Sequence, residues 1–328
     1  MGFSQGFETF ITTKQGGQTQ PQRMDARTVT DLAMELLSRM SGAPFLLWVH
    51  YMDTHMPYKA PGAFAARFGN ESGTSRVMAD FANPAIDRQR LYFKPGYESA
   101  EIESTRRLYD AAVAYLDSEV GRLLDRVKEL GIYDEAIIIF LADHGESLGE
   151  HGLFFAHDLT VYEELVRVPM IIRMPTGHGA RVSSVVSLLD LFPTLCSATA
   201  LSCPATTDGA DLMKADSGGP RFSTTAPLRT RYRLNPWTKR AGLSGRTAVV
   251  RDGSTKLLRF PLAEGVRYEA YDLSSDPQER RNIYTPGGFD HERLSLDAWL
   301  DDMRRQRRPR SKNRRALDKD TVARLRSL

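Results

Sequence analysis

The stretch that decides the fold is Ala136-Ile137-Ile138-Ile139-Phe140-Leu141-Ala142-Asp143-His144-Gly145-Glu146. Its first six residues are a short, unbroken apolar run rich in β-branched side chains, the pattern of a strand buried on both faces of a largely parallel sheet. The run stops at Asp143-His144-Gly145, where a carboxylate and an imidazole meet a residue tolerant of unusual backbone angles. Open α/β sheets place their ligands at the carboxyl ends of strands. Downstream follow Gly149-Glu150-His151-Gly152, His157, Tyr162-Glu163-Glu164 and a second apolar run, Val168-Pro169-Met170-Ile171-Ile172. So many histidines and acids between two core strands are more than a solvated loop needs.

Working outward, Glu101–Leu130 carries Ile102, Leu108, Ala112, Val113, Leu116, Val120, Leu123, Leu124 and Val127 at i, i+3/i+4 spacing, closed by Gly131. This predicts a long amphipathic helix feeding directly into the Ile137 strand as an αβ unit. Thr28–Met40 predicts a second helix, ended by Ser41-Gly42-Ala43-Pro44. Phe45-Leu46-Leu47-Trp48-Val49-His50-Tyr51 then reads as a buried strand, with Trp48 in the core and His55 in the polar loop at its carboxyl end. Residues 59–98 read as a long irregular insertion of the kind that faces substrate.

Beyond the Val168 strand, Val182–Ala200 predicts a helix with Pro193 in its first turns. Residues 203–245 are poor in aliphatics and rich in Thr, Gly, Pro and Arg, as expected of a linker or surface excursion. Thr247–Leu258 has a hairpin pattern about Gly253, and Tyr268–Leu273 adds a further strand before Asp276-Pro277. Leu294–Met303 predicts a closing helix. The expected division is therefore a catalytic α/β part over 1–202, an excursion over 203–245, a small antiparallel subdomain over 246–303 and a basic tail over 304–328.

With 41% hydrophobic and 26% charged residues in 328, an ordinary globular chain is expected. The net charge of +3 gives no argument for nucleic acid or membrane. The arginine-rich tail lacks the interleaved aromatics of a single-strand binder, so a solvated segment is expected there. Cys196 and Cys203 are too few for a disulfide framework and badly spaced for zinc, so compartment stays open. No apolar run approaches the roughly 20 residues of a membrane span. Residues 1–22 lack an apolar signal-peptide core.

Taken together, Pro44–Tyr58, Asp143-His144-Gly145-Glu146 with Gly149-Glu150-His151-Gly152, and Tyr162–Pro169 resemble the sulfatase family of the alkaline phosphatase superfamily. Leu189–Leu195 and Tyr271–Pro277 extend the resemblance to most of the chain. It implies an alkaline-phosphatase-like α/β sandwich with a small C-terminal antiparallel subdomain, and metal-dependent hydrolysis of sulfuric esters. Phosphate or phosphonate esters are the neighbouring substrate class. Asp143 and His144 match one pair of the family's metal ligands, implying a divalent ion, calcium above others. His55 matches the histidine that contacts sulfate and protonates the leaving alcohol, and His157 stands where a second sulfate contact is found. The implied partner is a sulfated or phosphorylated small molecule or glycan.

The family's nucleophile, a formylglycine made from Cys/Ser-x-Pro-x-Arg, has no counterpart: Cys196 precedes Ser-Ala-Thr and Cys203 precedes Pro-Ala-Thr. The adjacent aspartates of the first metal pair are also missing, since Asp301-Asp302 falls in the closing helix. The resemblance therefore implies the later part of a sulfatase, inactive alone. The other reading is a non-catalytic chain that binds an anion or a partner. For single residues the bland alternatives are a polar strand-end turn at Asp143-His144 and a packed loop histidine at His55. His151 is expected to brace its turn rather than bind a ligand, and Asp53 is the first substitute carboxylate.

Overall fold

Helix α1 (Ala26–Arg39) starts where Asp25 accepts the Thr28 N–H at 2.8 Å, an N-cap that satisfies one otherwise orphaned donor. The computed structural model describes residues 4–12, 24–40, 42, 44–83, 85–86, 91–92, 96–157, 159–176, 179–204, 207–214, 219–225 and 242–306. Two short helices follow, α2 (Gly62–Arg67) and α3 (Arg76–Ala82). The long helix α4 (Ser99–Glu129) opens on a reciprocal capping box between Glu98 and Glu101. Its buried face is Thr105, Leu108, Ala111, Ala112, Tyr115 and Glu119. The expected stripe is therefore only partly right, because Leu116, Leu123 and Leu124 stay half-exposed. Against this face lies α1, with the Thr30 hydroxyl donating to Glu119 O at 3.4 Å.

Residues 59–98 are not the irregular insertion that their composition predicts. Here α2 buries Ala65, while Val77, Met78 and Phe81 of α3 join Tyr58, Leu108 and Phe155 in a core cluster. Each large apolar side chain buried there contributes about 1.5–3 kcal/mol. Short helices of this kind form through tertiary packing, which leaves little periodic trace.

The decisive apolar run becomes β1 (Ile138–Leu141). Next come β2 (Ser147–Leu148), a 3₁₀ turn at Glu150–Gly152 and β3 (Phe154–Ala156). Helix α5 (Glu163–Val166) is one turn long and leads to β4 (Met170–Arg173). β1 pairs antiparallel with β4, from Ile138↔Arg173 to Leu141↔Met170. All pairings among the described residues are antiparallel. The larger departure is at 45–51. This segment forms no strand and joins no ladder among the described residues, and Leu46 and Trp48 are 73% and 70% exposed. Trp48 is not core. A strand pattern specifies alternation and extension, whereas burial depends on what packs alongside.

The expected helix over 182–200 begins only at Leu188, as a 3₁₀ turn (Leu188–Asp190) running into α6 (Leu191–Ala198). Four strands then form one antiparallel sheet in the order β5 (Arg221–Thr224), β6 (Ala248–Asp252), β7 (Thr255–Leu262) and β8 (Gly265–Asp272). β5 lies inside the stretch expected to be an excursion, whose residues 226–241 are outside the described ones. Helix α7 (Asp290–Arg305) packs Leu296 and Leu300 onto Ala248, Val250, Leu257 and Ala270. The opposite face of the sheet, with Val249, Leu258, Phe260 and Tyr271, covers Val161 and Tyr162 just before α5. That contact ties the C-terminal sheet to the loop of histidines. Tail residues 307–328 lie outside the described residues.

Candidate active site

After β1 the chain turns through Asp143, His144 and Gly145, and the Gly145 N–H donates to Leu165 O at 2.8 Å. A β-carbon at Gly145 would lie 2.0 Å from Glu164 O, so only glycine lets the turn dock onto α5. Asp143 Oδ1 accepts the His144 N–H at 3.1 Å, and its side chain is 73% exposed. His144 Nδ1 faces Gly145 O at 2.8 Å, and a carbonyl can only accept. The Nδ1–H therefore points at that carbonyl, and Nε2 lies 3.7 Å from Asp143 Oδ1.

Two further histidines meet this turn. His55 comes from the loop after residues 45–51, with its Nδ1 on Met56 O at 2.7 Å. His157 follows β3, with its Nδ1 on Glu146 Oε1 at 3.0 Å. The rings of His144 and His157 stack at 4.0 Å, and His55 meets His157 edge-on at 5.2 Å. All three imidazoles thus have Nδ1 held by an acceptor, which makes Nε2 the nitrogen that meets a ligand or moves a proton.

Behind His157, the Glu146 side chain is 5% exposed and also accepts the Tyr58 hydroxyl at 3.0 Å. Burial, then the Glu146 charge, pushes the Tyr58 phenol well above its ordinary range, so it stays a neutral donor. Neither Glu146 nor Tyr58 has a role in the sequence reading, although both sit within quoted motifs. Their signal is a Glu two residues after the histidine of a strand-end turn, which only the fold aims at His157.

His151 lies apart from this cluster. Its ring stacks on Tyr162 at 3.7 Å, Nδ1 meets Glu164 Oε1 at 3.0 Å and Nε2 meets Glu279 O at 3.1 Å. An acceptor on each nitrogen favours its protonated form. Burial opposes that charge, but the Glu164 and Glu279 contacts outweigh it and raise the pKa. This is the bracing role expected of it. Asp53 Oδ1 accepts the Ala26 N–H at 3.0 Å, at the start of α1.

Asp143 Oδ1 and His144 Nε2 are spaced as two ligands of one cation with bonds of about 2.0–2.5 Å. Among the described residues, however, no group of three or more His, Cys, Asp and Glu side chains converges to hold a metal. The pair fits part of a shell and does not complete one.

The chain matches the family model described as "Sulfatase" over residues 1–201, and that described as "N-sulphoglucosamine sulphohydrolase, C-terminal" over 149–306. It belongs to the sulfatase family, whose fold is alkaline-phosphatase-like. Arylsulfatase K of Bos taurus is 29% identical over 192 residues, 57% of this chain and 34% of that protein. The choline-sulfatase of Rhizobium meliloti is 29% identical over 255 residues, 74% of this chain and 47% of that protein. The uncharacterized sulfatase YidJ of Escherichia coli is 25% identical over 291 residues, 87% and 56% respectively. The chain thus spans between 34% and 56% of the length of these relatives. Among solved structures, the phosphonate monoester hydrolase of Agrobacterium radiobacter superposes with a TM-score of 0.66 at 24% identity, over 86% of this chain and 60% of that one. BT4656, solved with its substrate D-glucosamine-2-N,6-O-disulfate, gives 0.54 at 20%, over 88% and 71%.

Proposed function

We propose that this chain carries the leaving-group and sulfate-contacting side of a sulfuric ester hydrolase site, within a catalytic part spanning 1–202. His55 and His157 contact the sulfate, and Asp143 and His144 supply part of a divalent-cation shell, calcium being the ion a carboxylate favours. The observation that carries this reading is the convergence of His55, His144 and His157, each with Nδ1 engaged by an acceptor. When protonated, His55 Nε2 donates to the ester oxygen as the S–O bond breaks, a contribution of about 10²–10⁴-fold. Glu146 orients the His157 ring and compensates positive charge on it. A bound cation would supply charge neutralisation at the sulfate oxygens.

The sequence has no Cys/Ser-x-Pro-x-Arg to furnish the nucleophile. The chain alone is therefore expected to bind inorganic sulfate, shifting the His55 and His157 ring resonances, and to show no aryl sulfate turnover. His55→Ala should abolish the sulfate response. Unchanged histidine resonances in wild type would defeat the site assignment. Aryl sulfate turnover lost in Asp143→Ala would overturn the inactivity and imply another nucleophile.

A phosphonate or phosphate ester is the second reading, supported by the likeness to the Agrobacterium phosphonate monoester hydrolase. A sulfated glycan has similar support from the disulfated glucosamine bound by BT4656. Competition between inorganic sulfate, methylphosphonate and a sulfated glucosamine for the same histidine resonances separates them.

A further inference from the structure

Tyr271–Pro277 takes no part in the histidine cluster, yet its acids shape one turn. Asp272 accepts from the Ser274 N–H at 3.0 Å and from the Ser274 and Ser275 hydroxyls at 2.7 and 3.0 Å. Asp276 accepts the Arg280 and Arg281 N–H groups at 3.1 and 2.8 Å. The turn delivers Glu279 into the interior, 2% exposed and with φ of 52°. A left-handed conformation is strained for a residue with a β-carbon, and such strain persists only where its surroundings enforce it.

There Glu279 Oε1 lies 2.8 Å from Lys256 Nζ, and Oε2 accepts the Glu163 N–H at 2.5 Å. Lys256 is 0% exposed and its Nζ also contacts Glu163 Oε1 at 2.9 Å, while Arg251 holds Glu163 Oε2 at 3.1 Å. Two cations thus balance two carboxylates, with the Lys256 and Glu279 side chains fully buried and Arg251 31% exposed at the edge. Apolar side chains would often stabilise such a place as well, so charge here fixes geometry better than it adds stability. What it fixes is α5, because Glu163 begins that helix. The helix in turn presents Leu165 O and Glu164 O, the two backbone atoms against which Gly145 lies.

We infer that Lys256 and Glu279 form a positioning pair through which the four-stranded sheet sets the Asp143–Gly145 turn, with α5 as the rigid link. The inference rests on the reading of that turn as part of the active site. Its first readout, however, needs no ligand: amide hydrogen exchange at Gly145 in the full chain, compared among wild type, Lys256→Met and Glu279→Gln. Exchange at Gly145 is expected to quicken by about tenfold or more, with the β6–β7 ladder amides changing far less. The second readout is Mn²⁺ alone, followed by broadening of the His144 ring signals; its midpoint should rise by a factor within the usual coupling range of about 5–150. If Lys256→Met unfolds the chain and all amides quicken together, Glu279→Gln decides, since it removes the charge and keeps the shape. Unchanged Gly145 exchange in Glu279→Gln, or a rise only in step with the ladder, overturns the inference. Wild type failing to bind Mn²⁺ while Gly145 exchange responds would sink the metal reading and leave the positioning pair standing.

Discussion

Gly145 donates its N–H to Leu165 O at 2.8 Å, so the turn bearing Asp143 and His144 is docked on the first turn after Tyr162. The approach has no room for a side chain, since an added β-carbon would lie 2.0 Å from Glu164 O. Gly145→Ala must push the turn off α5 or distort both. Forced overpacking of this kind costs about 1–3 kcal/mol, and more where backbone is the obstacle. Urea unfolding should report a loss in that range together with a loss of the sulfate-induced histidine shifts. A variant with wild-type stability and binding would show that the docking is not needed.

His151 gives a pH dependence with a definite sign. Burial works against its charge, but Glu164 and the Glu279 carbonyl raise its folded pKa above the ordinary value of about 6.5. A raised histidine contributes stability that is complete below the unfolded value and is lost as pH climbs through the folded one. Unfolding free energy is therefore expected to fall as pH rises from the unfolded value of about 6.5 through the folded one. In His151→Gln the same titration should be flatter. An identical slope in both proteins would remove His151 as the cause.

What was legible in the sequence was what depends on local pattern. The long helix ending at Glu129, the hairpin about Gly253 and the closing helix follow from periodicity and turn chemistry. Residues 45–51 show the limit, because Leu46 and Trp48 look like core from composition and are exposed for lack of anything packed over them. Helices α2 and α3 escaped notice because Phe81 and Tyr58 organise them through contacts distant in sequence. At the proposed site, His55, Asp143, His144 and His157 came from the family resemblance, with strand-end placement beside it for His55, Asp143 and His144. Glu146 and Tyr58 needed the fold, since nothing local aims a carboxylate at a ring eleven residues away.

Metal affinity should be weak. On the proposed reading Asp143 and His144 supply only two ligands, whereas calcium takes about 6–8 oxygens, and water would have to fill the rest. Calorimetry should therefore give calcium dissociation constants at or above about 10⁻⁴–10⁻³ M, the weak end for protein sites. The small heat that remains should vanish in Asp143→Ala. Micromolar binding that survives Asp143→Ala would point to a different set of carboxylates.

The exposed apolar surface predicts association. Leu46, Trp48 and Ile171 are 73%, 70% and 64% exposed, and Phe45, Phe140 and Leu141 are exposed as well. Phe140, Leu141 and Ile171 share the β1–β4 pair, and 45–51 joins no ladder among the described residues; large exposed apolar side chains of this kind invite association. Covering one such large side chain is worth about 1.5–3 kcal/mol. A few of them together rival a total stability of about 5–15 kcal/mol. Association through these side chains is the expected outcome. Size exclusion with light scattering should find dimers or larger species whose share grows with concentration. The triple variant Leu46→Glu, Trp48→Gln, Ile171→Thr leaves every buried cluster untouched and should shift the population towards monomer. A wild-type chain that stays monodisperse and melts cooperatively as a monomer would show that this surface is tolerated in water.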